Sequence, residues 1–175
     1  IETWPILQRA CDGHVSIRSF NRTRCADAIA DAMRTGTKVW GNAYIMCANK
    51  AFGRATKHDN YLQLVENLVR SDFFDRIYTA RTFAAVYELL LAQPLIGKFL
   101  AYQIATDFNY TDTIDFDENS FTMAGPGAER GVAKCFESVA GASDEYVINW
   151  MVDHHEEECT RLGIEPITLF GRPLK

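Results

Sequence analysis

Apolar residues along this chain recur every three to four positions far more often than at every second one. That spacing belongs to helices with one buried face. TRCADAIADAMRTG, residues 23–36, predicts a helix stopped by Gly36, and HDNYLQLVENLVRS, residues 58–71, a second with Asp59 as its N-cap. TARTFAAVYELLLAQ, residues 79–93, runs from a capping Thr79 to the position before Pro94, and LIGKFLAYQIATDF, residues 95–108, follows that proline directly. SDEYVINWMVDHHEEECTRLG, residues 143–163, starts at a capping Ser143 and closes on Gly163, a suitable residue just past a helix C-terminus. Extended pieces are confined to AYIMC at 43–47 and ITLF at 167–170. No repeat, low-complexity tract or linker breaks the pattern. The expected architecture is all-α: a single globular helical domain over residues 1–175, long enough to bury one core.

Two of these helices carry polar residues where apolar ones are expected. On a helical wheel Ile96, Phe99, Leu100, Gln103 and Asp107 share the most apolar side of the 95–108 helix, with Lys98, Ala101 and Ala105 opposite. A buried ionised carboxylate costs several kcal/mol unless it is paired or hydrogen-bonded. Asp107 and Gln103 are therefore either pocket residues or structural ones, bonding a neighbouring helix end or a buried backbone group. Asn109 and Tyr110 follow at once, residue types that can hydrogen-bond or stack on a base. In the last helix Ile148, Val152, His155, Cys159 and Leu162 form one stripe, with His154, Glu157 and Glu158 elsewhere. The i, i+4 spacing of His155 and Cys159 invites a metal, but no second cluster has ligand spacing. His155 is read as facing the core, and no metal site is expected.

Composition narrows the setting. The apolar runs are too short and interrupted for a membrane span, and no secretory leader is visible. Five cysteines, an odd number without C-x-x-C spacing, argue for a reducing intracellular location, cytoplasm or nucleoid. The net charge of −5 is unevenly spread: residues 1–81 hold 12 Lys and Arg against 8 Asp and Glu, residues 82–175 hold 6 against 15. Overall charge gives no reason to expect nucleic acid, but Arg54, Lys57, Arg70, Arg76 and Arg81 offer a local basic surface.

MAGPGAERGVAKCF, residues 123–136, is the most informative stretch. Gly125, Pro126, Gly127 and Gly131 follow the order Gly-apolar-Gly-x-x-x-small found in the hairpin of helix-hairpin-helix DNA-binding modules. Glycines admit close approach of a phosphate, and the free N–H groups of a helix start, at Gly127 and Ala128, favour an anion. Arg130 and Lys134, one turn apart, add charge that positions a backbone without reading its sequence. The other reading of the same residues is a plain loop before a helix, with Gly131 at a close packing contact.

IETWPIL, GKFLAYQIATDFNYTD, AGPGAERGVAKCF, WMVDHH and LFGRPL occur in this order across essentially the whole chain. Together they resemble the helical family that groups alpha-glutamyl/putrescinyl-thymine pyrophosphorylases with the helical domain of 5-hydroxymethyluridine DNA kinases. The resemblance implies a core like that of helix-hairpin-helix DNA glycosylases and, as partner, DNA containing hypermodified pyrimidines. It implies an enzyme that flips such a base and cleaves its N-glycosidic bond, as in phage defence. The alternatives are amine transfer to an activated hydroxymethyluridine, or a non-catalytic module that binds modified DNA. On this reading Asp107 and Gln103 would be catalytic, Asn109 and Tyr110 would line the base pocket, and Gly125, Gly127, Ala128, Arg130 and Lys134 would hold the DNA backbone. Asp144 is the nearest match to the aspartate that follows the hairpin in such glycosylases, although it reads as the first turn of a helix. No cofactor is expected, and the absence of a GxxxxGK[ST] motif argues against kinase chemistry in this chain. Family segments that flank IETW and GRPL are not present, so flanking pieces, and with them a catalytic aspartate, are expected to lie outside the chain.

Overall fold

A computed structural model describes residues 3–41, 46, 48, 50–166, 168, 169, 172 and 173. Its order is α1 (Thr3–Ala10), α2 (Arg22–Arg34), α3 (Lys57–Arg70), α4 (Phe73–Thr79), α5 (Phe83–Leu91), α6 (Lys98–Asn109), a 3₁₀ turn (Glu118–Ser120), α7 (Pro126–Cys135) and α8 (Asp144–Leu162). A two-residue antiparallel ladder, β1 (Thr168–Leu169) with β2 (Arg172–Pro173), follows. Among the described residues the fold is all-helical apart from that ladder, whose first strand falls within the expected extended piece at 167–170 and whose second lies beyond it. The other expected extended piece, 43–47, lies outside the described residues except for Met46.

The chain groups into two compact units. The first takes Ile1–Thr79 and Leu91–Ile96, the second Ala80–Leu90 and Gly97–Lys175. In the first, α1, α2 and α3 pack through Ile6, Ala10, Cys11, Cys25, Ala26, Ile29 and Leu62, with Val39 closing the cluster. Asn21 caps α2 by accepting the Arg24 N–H at 3.0 Å. The α3 cap is Thr56, whose hydroxyl accepts from the Asp59 N–H, and not Asp59 as the sequence suggested. Asp59 instead turns its carboxylate to Arg22, which also reaches Glu66 at 3.4 Å and so ties α2 to α3. Asn60 is fully buried and bonds the preceding loop at both ends of its amide. It donates to the carbonyls of Arg54 and Thr56 at 3.0 and 2.7 Å and accepts from the N–H of Phe52 at 3.1 Å.

Two further boundaries differ from expectation. Thr79 ends α4 instead of capping a longer helix, and the Thr82 hydroxyl accepts the Ala85 N–H at 3.1 Å to start α5. Beyond Pro94 the chain does not resume a helix at Leu95. That residue takes a left-handed φ of 69°, and α6 starts at Lys98 with Gly97 as N-cap. At α8 the sequence reading holds at both ends. The Ser143 side chain accepts the Tyr146 N–H at 3.2 Å, and Gly163 adopts φ 69°, ψ 29°.

The second unit is held by an aromatic cluster. The ring of Phe121 lies 5.0 Å from Tyr87, 6.0 Å from Phe83 and 6.1 Å from Tyr102, joining α5 and α6 to the extended residues that lead into α7. Pairs of this kind add roughly 0.5–1.5 kcal/mol each beyond the area they bury. Among the described residues no helix is long and apolar enough to cross a membrane.

Candidate nucleic-acid interface

The glycine segment opens a helix. Gly125 is the N-cap of α7 with no side-chain hydrogen bond, Pro126 is its first residue, and the Glu129 N–H closes the first turn on the Gly125 carbonyl at 3.0 Å. Residues 110–125, with the 3₁₀ turn among them, separate α6 from α7, so the chain does not form a tight hairpin between these two helices. Gly127, Arg130, Gly131 and Lys134 fall at i, i+3, i+4 and i+7 along one side of α7. Arg130 and Lys134 are exposed and have no ion pair among the described residues, while Glu129 lies round the helix from them. A Cβ placed on Gly127 or Gly131 would meet nothing within 4 Å among the described residues, which do not make the packing contact suggested for Gly131. Val132 is the one buried residue of α7.

Two contacts fix where this helix begins. Gly125 lets the Phe99 ring lie against the backbone, since a Cβ there would stand 3.1 Å from Cδ2 of the ring. The Glu145 carboxylate accepts the Ala124 N–H at 3.1 Å. That N–H is the main reason its pKa is lowered, followed by Glu145's own backbone N–H, with the Ser143 hydroxyl and the Lys98 ammonium adding smaller effects. Neither contact was read from the sequence. An acidic residue in the first turn of a capped helix was the available signal for the second; the first has no local signal.

The expected catalytic face of α6 is turned the other way. Its buried residues are Ala101, Ala105 and Asn109, whereas Phe99 is 44% exposed and Asp107 is exposed. Gln103 is half-buried. Small side chains face inward because they let neighbouring backbone come close, and the larger apolar ones cover the flanks. Asp107 therefore lacks the apolar surroundings that made it the leading carboxylate. Asn109 is buried as a clamp: it accepts the Phe116 N–H at 2.8 Å and donates to the Phe116 carbonyl at 3.0 Å. Its amide is engaged by backbone instead of facing a base pocket. Tyr110 is 69% exposed and Asp144 sits in the first turn of α8.

Of the five basic residues read as a surface, three are engaged. Arg54 bonds the Gln63 side chain, Lys57 stands 4.1 Å from the centre of the Trp40 ring, and Arg70 pairs with Glu66 at 3.0 Å. Arg76 and Arg81 are exposed.

A family model described as 5-hmdU DNA kinase, helical domain, matches residues 1–175. The chain belongs to that family. It is also similar to a protein of Bacillus phage SP10 named 5-hmdU DNA kinase, 23% identical over 158 residues that cover 81% of this chain and 24% of that protein. The chain thus spans about a quarter of the length of that relative. No solved structure matches. Within the helical-domain family, the α7 stripe is the feature of this chain best suited to a polyanion. Arg130 at mid-helix and Lys134 in the last turn of α7, without ion pairs among the described residues, stand on either side of Gly131 along one exposed side of the helix.

Proposed function

We propose that this helical domain binds DNA carrying 5-hydroxymethyluridine, holding the phosphate backbone on the Gly127–Arg130–Gly131–Lys134 side of α7. The observation that carries the reading is the whole-chain match to a helical domain named for 5-hmdU DNA kinases, supported by the bare cationic stripe. Gly125 and Ala128 belong to the same helix start, Gly125 as its positioning residue. Phosphate contacts position the duplex, and recognition of the modified base must come from elsewhere in the unit.

Base excision, with a role in phage defence, is the second activity that this site would have to serve. It needs a carboxylate held close to the sugar in water-poor surroundings. Asp107 is exposed, so the binding reading is the better supported of the two. One experiment separates them. The chain is titrated into duplexes containing 5-hydroxymethyluridine or thymidine at several salt concentrations, and the DNA is then analysed by mass spectrometry for released base. Salt-dependent binding without release is expected. The double variant Arg130→Ala/Lys134→Ala should bind more weakly and lower the salt slope by about two. Unchanged affinity and slope in the folded variant would remove α7 from the interface, and release of base would make the domain a glycosylase.

A further inference from the structure

Two cavities open side by side along α8. One, of about 330 Å³, has Phe136, Trp150, Met151, His154 and Leu162 in its wall; the other, of about 300 Å³, has Phe136, Tyr146 and Trp150. Phe136 and Trp150 belong to both, so the two form one groove that follows the helix from Tyr146 to Leu162. At about 1.5 Å per residue that span is about 24 Å. Tyr146, Met151 and Leu162 leave between 42 and 62% of their surface exposed. Large apolar side chains in a row, uncovered among the described residues, mark a surface that a partner meets. The groove is also firm. The His154 imidazole is stacked on Trp150, with centroids 4.6 Å apart and planes inclined by 17°, and its Nδ1 donates to the Trp150 carbonyl at 2.9 Å.

The charges around the groove choose between occupants. α8 carries six acids, Asp144, Glu145, Asp153, Glu156, Glu157 and Glu158, against Arg161 alone. Glu158, on the groove wall, is paired with Arg161 at 2.6 Å, and Glu145 is held by the Ala124 N–H at 3.1 Å. Asp153 and Glu157 stand at i+3 and i+7 from Trp150 and so line its edge of the groove. Both are exposed and make no ion pair among the described residues. A nucleic acid would bring phosphates against these carboxylates, and a second copy meeting groove to groove would bring the same acids. An added strand would find no ladder, because the backbone N–H and C=O groups of α8 are used within the helix. A helix satisfies its own backbone and needs from the groove only an apolar face.

We propose that this face of α8 is a docking site for an amphipathic helix of a partner protein, apolar along one side and carrying lysine or arginine along the edge that meets Asp153 and Glu157. Its apolar anchors enter the groove beside Phe136 and Trp150 and cover Tyr146, Met151 and Leu162. Burial of the anchors supplies affinity, and the acidic edge selects the sign of the partner's charge and its direction along α8. The proposal stands independently of DNA binding by α7.

The test uses a synthetic helix of about 16 residues, the length of the groove. Leucines at i, i+4 and i+7 spacing form one face and lysines flank them; a twin peptide has glutamate at every lysine. Binding to the whole chain is followed by NMR at the Met151 methyl and the Trp150 indole N–H. The lysine peptide should shift both signals and bind at least about tenfold more tightly than its twin at low salt, and added salt should shrink that difference. Asp153→Asn/Glu157→Gln should narrow the gap between the twins. Met151→Ser/Leu162→Ser should weaken the lysine peptide by about tenfold, the factor expected when apolar anchors lose their partners. All four side chains are exposed, and a melting curve confirms that each variant is folded. Equal affinity for the twins, no binding of either, or undiminished binding to folded Met151→Ser/Leu162→Ser overturns the proposal. Sedimentation equilibrium without peptide should show a monomer. A dimer that Met151→Ser/Leu162→Ser dissociates would give the groove to a second copy, and a single-stranded oligonucleotide that shifts the same two signals would give it to DNA; either result overturns the partner helix.

Discussion

The ring of Phe99 occupies the space that a side chain on Gly125 would need, with Cδ2 3.1 Å from the position of a Cβ. Gly125 has an ordinary φ of −83°, so the glycine is required by this approach and not by backbone strain. Phe99 is partly exposed and can give by a few tenths of an ångström. Gly125→Ala is expected to cost about 0.5–1 kcal/mol and Gly125→Val about 2 kcal/mol, from displacement of the ring and the poorer N-cap. Urea denaturation of both variants checks the order. Equal stability of all three proteins would mean that Phe99 does not set the start of α7.

Asn109 ties the end of α6 to Phe116 through both ends of its amide. Asn109→Ala leaves a half-buried N–H and carbonyl without their partner, and about 2–3 kcal/mol of stability should be lost. Asn109→Asp keeps the acceptor but sets a carboxylate oxygen against the Phe116 carbonyl, so it should not rescue. Hydrogen exchange reads this locally: the Phe116 amide should exchange faster in both variants. Unchanged protection at Phe116 would rule out the clamp.

Helix identity was legible in the sequence wherever local chemistry decides it. Ser143 and Gly163 bracket α8 as any capped helix is bracketed, and the glycine segment announces the start of α7. The orientation of α6 was not legible. A wheel weighted by apolar size turns Phe99 inward, whereas packing selects Ala101 and Ala105 for their small radius. Asn60 and Asn109 were equally hidden as clamps, because their partners lie across loops whose path no local rule gives. The cations and glycines of residues 123–136 could be picked out by residue type, but their alignment on one side of α7 depended on where that helix begins.

Glu145 links acidity to the position of α7. Its pKa is lowered below the ordinary 4.5, first by the Ala124 N–H, so the folded state binds this proton less readily than the unfolded one. The sign follows: its contribution is fully present above about 4.5 and fades as the pH falls through the lowered value. Glu145→Gln should therefore be less stable than wild type near neutrality, and the gap should close in acid. Paired urea titrations from about pH 7 to about pH 3 measure it. A gap independent of pH would show that the contact does not depend on charge.

Cys11 and Cys25 meet in the core of the first unit, Sγ to Sγ 3.6 Å. Burial is the largest influence on the Cys25 thiol, and with Cys11 it pushes the pKa up to about 11. Little thiolate is then present at neutral pH, and reactivity follows thiolate and access. Cys135 is exposed. Iodoacetamide at neutral pH should label Cys135 within the native protein and Cys25 only after denaturant is added, as peptide mass spectrometry will show. Equal labelling rates would mean that the α1–α2 core opens easily.

Gly127 and Gly131 lie inside α7, yet among the described residues nothing occupies the space their missing side chains leave. Glycine in a helix interior costs roughly 0.5–1 kcal/mol relative to alanine. Gly131→Ala should therefore stabilise the chain by about that amount, and Gly127→Ala, in the first turn, by less. If a phosphate approaches the backbone between Arg130 and Lys134, the added methyl groups stand in its way. The double variant should melt higher than wild type while binding DNA several-fold more weakly, with the salt slope retained because both cations remain. Opposite signs on stability and affinity distinguish an interface from a packing defect, which would lower both together. A melting curve and a salt-titrated affinity on the same preparation are sufficient. Higher stability with unchanged affinity would place the DNA backbone on another surface of the unit.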